Sequence, residues 1–81
     1  DRYVEATAAR LLAELAHAQP GARNATLNWC GYRLATLGLD GNRVADLLTP
    51  VAVGLGLRPA EVAATIASAI RGAVGKSGRA A

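Results

Sequence analysis

The chain has 81 residues, a formal net charge of +3 and a 52% hydrophobic composition rich in alanine, with no Phe or Met and one Cys. One small domain fits that length, burying only about 60% of the surface its unfolded form exposes; one Cys and one His exclude a disulfide scaffold and a four-ligand zinc site within one chain. No apolar run approaches the length of a membrane-spanning helix, and no signal peptide is visible.

The first helix is expected from about Tyr3 to Ala18, where Val4, Ala8, Leu11, Leu12 and Leu15 recur at helical spacing as one apolar stripe. Tyr3, Arg10, Glu14 and His17 fall opposite, so His17 reads as a solvated or C-terminal charge, not a ligand or base. Pro20-Gly21 ends this helix and starts the next. The second helix, about Ala22 to Leu37, carries Leu27, Cys30, Leu34 and Leu37 on its buried face. Asn24 and Asn28 lie one turn apart along the edge of that face, and Trp29 and Arg33 lie on the flank beyond the opposite edge. Cys30 reads as a small core residue, which fits a reducing cytoplasm.

Gly38-Leu39-Asp40-Gly41-Asn42 is a turn in which Asp40 or Asn42 can cap the third helix. Val44, Leu47, Leu48, Val51, Ala52 and Leu55 form its core stripe. Pro50 removes one backbone donor and is expected to kink or split the helix near Asp46–Thr49. Gly54 and Gly56 terminate it. Pro59 opens the fourth helix at the tolerated first position, with Glu61 in its first turn. Val62, Ala63, Ile66, Ala69, Ile70 and Ala73 are its apolar face, while Glu61, Thr65, Ser68 and Gly72 form a separate polar-to-small stripe. Residues 75–81 show no apolar pattern and are expected to be a loose basic tail. The fold class is all-α: residues 1–74 form a compact, orthogonal or up-and-down bundle of four helices, followed by a flexible tail.

No catalytic constellation is present. The six acidic residues are dispersed and none forms a pair suited to metal-assisted phosphoryl transfer. Gly75-Lys76-Ser77 resembles the end of a phosphate-cradling Gly-x-x-x-x-Gly-Lys-[Ser/Thr] loop, but Ile70 stands where its first glycine is needed. The chain alone therefore reads as a non-enzyme without cofactor or metal, and binding is the better class.

Arg23 and Asn24 fall on the first turn of a helix, where unpaired N–H groups and the helix dipole favour an anion. The arginine adds a planar fork for phosphate oxygens. Arg71 lies near the end of the fourth helix, followed by Lys76 and Arg79. If the second and fourth helices pack antiparallel, these groups converge at one end of the bundle, with Thr65 and Ser68 beside Asn24 and Asn28. Such a set suits a phosphate backbone. Each member also has a purely structural reading: Asn24 caps the helix, Thr65 and Ser68 bond their own carbonyls, and Arg23 folds over the core edge. Trp29 and Tyr32 either stack on unpaired bases or serve as packing or as contact with another domain.

Tyr3, Pro20-Gly21-x-Arg23-Asn24-x-x-Leu27-Asn28, Arg33-Leu34, Gly56-Leu57, Glu61 and Thr65-Ile66-x-Ser68-x-Ile70-Arg71-Gly72 together resemble one family. It is the C-terminal helical-bundle module of bifunctional DNA primase/polymerases of phages, plasmids and integrative elements, especially actinobacterial ones. The likeness covers about residues 2 to 72, and the Pro-Gly-x-Arg-Asn-x-x-Leu and Thr-Ile-x-Ser segments in that order carry it. It implies a fragment of a larger replication protein whose polymerase-like catalytic domain lies N-terminal to the bundle. It further implies that the bundle engages single-stranded DNA template, and with it the initiating nucleoside triphosphate. Arg23, Asn24, Asn28, Thr65, Ser68 and Arg71 match the family pattern and inherit that role, with Lys76 and Arg79 assisting. The alternative is a protein-interaction module docking on the catalytic or helicase domain of the same protein. Three features depart from the family: a shorter turn at Asp40, Ala69 in place of a frequent glycine, and Pro50 within a helix usually free of proline.

Overall fold

Two carboxylates set the starts of two helices. Asp1 accepts the Tyr3 N–H at 2.8 Å ahead of α1 (Arg2–Ala16), and Asp40, not Asn42, accepts the Arg43 N–H at 2.9 Å ahead of α3 (Gly41–Gly54). A single 3-10 turn, Pro20–Ala22, leads into α2 (Arg23–Thr36), and α4 runs Pro59–Ala80. The computed structural model describes the backbone of residues 1–80 and the side chains of residues 1–75.

A shared Leu-Gly-Leu step ends α2 and α3. Gly38 and Gly56 both take φ of 101°, a left-handed conformation that costs glycine no Cβ clash. Each glycine lets the next leucine N–H reach back into the helix: Leu39 to the Leu34 carbonyl at 3.3 Å, and Leu57 to Ala52 at 3.2 Å. Gly38 and Gly56 themselves donate to Ala35 and Val53, which completes the Schellman pattern in both cases.

Two sequence expectations about the helices are changed by the structure, the first only as to a split. Pro50 does not split α3, which is continuous from Gly41 to Gly54 with the proline inside it. The ring sits on an exposed face, where water can satisfy the carbonyl that lacks its donor. The expected tail is the second: α4 continues through Gly75 to Ala80, so its basic end extends a helix instead of leaving it. Gly75, Ser77 and Gly78 are weak helix formers, so this extension draws on a helix already nucleated by packing upstream, with Lys76, Arg79 and Ala80 favouring it.

Leu11 and Leu15 of α1, Leu27, Cys30 and Leu34 of α2, Val44, Leu48 and Ala52 of α3, and Val62 and Ile66 of α4 form the core. Full burial of one such Leu, Val or Ile side chain contributes roughly 1.5–3 kcal/mol. Thr7 joins this core at 3% exposure although its hydroxyl hid it in the sequence, because it shares a face with Leu11 and Leu15 at four-residue spacing. Ala63, expected to be buried, is exposed.

The contacts give a bundle of four helices. The Cys30 thiol donates to the Leu11 carbonyl at 3.4 Å and Arg33 donates to the Tyr3 hydroxyl at 3.2 Å, so α1 and α2 run antiparallel. Gly41 at the start of α3 meets Ile70 late in α4. α1 packs on α2 and α3 but not on α4, and the closest helix pair is α2 with α4. Among the described residues, no helix is long and apolar enough to cross a membrane.

Candidate nucleic-acid interface

The α2–α4 pair is parallel. Asn24 reaches Thr65 and Glu61, Gly31 faces Ala69, and Tyr32 lies against Gly72, so positions rise together along both helices. A glycine and an alanine make that approach possible: a Cβ placed on Gly31 would stand 3.0 Å from the Ala69 Cβ. The close contact sets two edges side by side, Asn24–Asn28–Tyr32 on α2 and Glu61–Thr65–Ser68–Gly72 on α4. Both follow the three-to-four-residue spacing of one helix edge.

At one end of this groove Asn24 uses its amide to tie the helices together. Its Nδ2 donates to Thr65 Oγ1 at 2.8 Å and to Glu61 Oε2 at 3.1 Å. Asn24 therefore does not cap α2, whose N-cap residue, Ala22, offers no side-chain bond. Asn28 and Ser68 are exposed farther along, and Tyr32 closes the far end over Gly72.

The start of α2 has no side-chain cap, no acid of its own in the first turn, and Arg23 as its first residue, while Glu61 of α4 lies against it at Asn24. Arg23 is half-buried and lies along the bundle with its Nε buried and unpartnered. Folding over the core edge thus describes its stem. Leaving a polar N–H unmade in this way costs about 1–3 kcal/mol.

Convergence of Arg23 and Arg71 does not occur. It required antiparallel α2 and α4, and in the parallel arrangement Arg71 lies about 9 Å along α4 from Thr65, turned from it by roughly a third of a turn. The groove is instead acidic at the Asn24 end, through Glu61, and Arg71 flanks its other end. Asn24 and Thr65 are brought together, and Asn28 and Ser68 continue the same helix edges as exposed residues, with Arg23 and Arg71 toward opposite ends. The side chains of Lys76 and Arg79 lie outside the described residues.

Sequence reasoning placed Trp29 and Tyr32 without relating them. Their rings stack with centroids 6.2 Å apart and planes 24° from parallel, and Trp29 is 48% exposed. Spacing of three along a helix is the signal that could have paired them. Cys30 is fully buried between α1 and α2; burial, with the nearby Glu14 carboxylate adding, pushes its thiol up to about 11. It is a core group, inert as a nucleophile at neutral pH. No family model, no curated protein and no solved structure matches this chain.

Proposed function

We propose that this chain is a non-catalytic accessory domain of a DNA primase/polymerase that binds single-stranded DNA template, and with it the initiating nucleotide, for primer synthesis. The observation that carries the reading is the parallel α2–α4 seam, where Asn24 bonds Thr65 and Glu61 and the exposed Asn28 and Ser68 continue the same two helix edges. Amide and hydroxyl groups of this kind position a sugar–phosphate backbone without reading sequence. Glu61 repels phosphate at the Asn24 end, so the backbone sits toward Asn28, Ser68 and Arg71. By holding template, the domain would raise its effective concentration at a tethered catalytic domain.

The test is fluorescence anisotropy of a labelled oligonucleotide titrated with the chain at two salt concentrations. An Asn28→Ala/Arg71→Ala variant is the comparison, chosen because both residues are exposed and neither bond of Asn24 is touched. Binding that weakens with salt and falls in the variant, with circular dichroism unchanged, supports the reading. Equal binding by the variant removes the groove from it.

A second reading, docking on the catalytic or helicase domain of the same protein, draws on the outer face of α3. There Ala45, Asp46, Thr49, Pro50 and Val53 line a shallow hollow, and Val53 is 40% exposed. Affinity for an isolated partner domain, without salt-sensitive DNA binding, would favour it.

A further inference from the structure

Helix α2 contains no Asp or Glu between Arg23 and Thr36, and its outer side carries the exposed Asn28 and Trp29, with Tyr32 and Arg33 half-buried beside them. The amide edge leads into the ring pair because Tyr32 follows Asn28 by four residues and Trp29 precedes Tyr32 by three. Tyr32 rests on α4 at Gly72, where a Cβ would come within 3.9 Å of its ring, and Trp29 stacks outside Tyr32. The indole is thus backed by a phenol and half open to solvent. Arg33, one turn beyond Trp29, donates to the Tyr3 hydroxyl at 3.2 Å and to Thr36 at 3.4 Å, which holds a cation at the rim.

We infer that Trp29, braced by Tyr32, is a stacking platform for an unpaired base, so that the strand leaves the α2–α4 groove and crosses the outer face of α2. This rests on the single-stranded DNA reading above and adds to it that bases, as well as phosphates, are gripped. The occupant is chosen on charge and shape together. An acid-free helix bearing two arginines complements a polyanion. A flat, backed indole suits a π-face, and duplex DNA offers none along its length. Base identity matters little to such a contact, so the platform is sequence-tolerant.

The chain has one tryptophan, so its fluorescence reports on this position alone. The experiment titrates the whole chain with a twelve-residue oligothymidylate, an abasic oligomer of equal length and a blunt duplex, reading indole emission and anisotropy in parallel. The expected result is quenching by oligothymidylate only. Trp29→Ala should weaken that binding about tenfold or more and Trp29→Phe should retain most of it, while affinity for the abasic oligomer is unchanged by either. Trp29→Phe also guards against misfolding, since it keeps the ring pair. Oligothymidylate binding without quenching, and with unaltered affinity in Trp29→Ala, overturns the platform and leaves the groove reading standing. Absence of binding to any oligomer overturns both.

Discussion

The distance between α2 and α4 rests on one glycine, and this can be tested by giving it a methyl group. In Gly31→Ala the new Cβ would lie 3.0 Å from the Ala69 Cβ and 3.7 Å from Leu48 Cδ1. Carbon atoms in van der Waals contact prefer about 3.5–4.0 Å, and Ala69 can give way only by moving the α4 backbone. Overpacking of this kind costs typically ~1–3 kcal/mol. Replacing glycine by alanine in a helix returns ~1 kcal/mol. The net expectation is a destabilisation of about 1 kcal/mol, or a Tm lower by roughly 4–8 °C for a domain of this size.

Gly72→Ala is the control on the partner helix. Its Cβ would meet only Tyr32 Cδ1, at an ordinary 3.9 Å. The helix preference then acts unopposed, and Tm should rise. Placing Gly31→Ala on an Ala69→Gly background should reverse its sign, since the methyl then fills the space vacated opposite. Thermal unfolding followed by circular dichroism reads all four variants. Should Gly31→Ala raise Tm as much as Gly72→Ala, the close approach of α2 and α4 would be refuted as the determinant of this groove.

Two further outcomes follow from the same structure. Glu61→Gln keeps the oxygen that accepts from Asn24 but removes the negative charge at the groove's end. Oligonucleotide affinity should rise roughly twofold at low salt and converge with the parent at high salt, measured by anisotropy; unchanged affinity at low salt would place the phosphates elsewhere. Cys30, raised from 9.0 to about 11 by burial, favours the folded state while it stays a thiol. That contribution is complete below pH 9 and is lost as pH rises toward about 11, because the unfolded chain ionises first. Urea midpoints should therefore fall more steeply over this window in the parent than in Cys30→Ala, and parallel curves would contradict the burial argument.

Apolar spacing was enough to find the four helices, and the short-range punctuation was nearly enough to bound them. Asp40, Pro59 and the paired Leu-Gly-Leu steps act within a few residues of their own position, so their effect is written locally. Leu15, Leu27, Leu34 and Leu48 could be assigned to the core for the same reason. Thr7 could not, because its burial follows from the neighbours that α1 meets and not from its own polarity.

The site residues were legible as types and not as a surface. Asn24 looked equally like a cap, and only the presence of α4 gives its amide two better acceptors, in Thr65 and Glu61. The direction of α4 against α2 was likewise undetermined by periodicity, which fixes the face a helix buries and says nothing of which way its partner runs. The parallel arrangement brought Asn28 level with Ser68 and kept Arg23 and Arg71 apart. The sequence by itself determined the four helices, most of their ends and most of their buried faces, since those depend largely on neighbours three or four residues away. Tertiary structure alone decided which polar edges meet, because that depends on the packing of residues 38 positions apart, Gly31 and Ala69, where a Cβ on the glycine would lie 3.0 Å from that of the alanine.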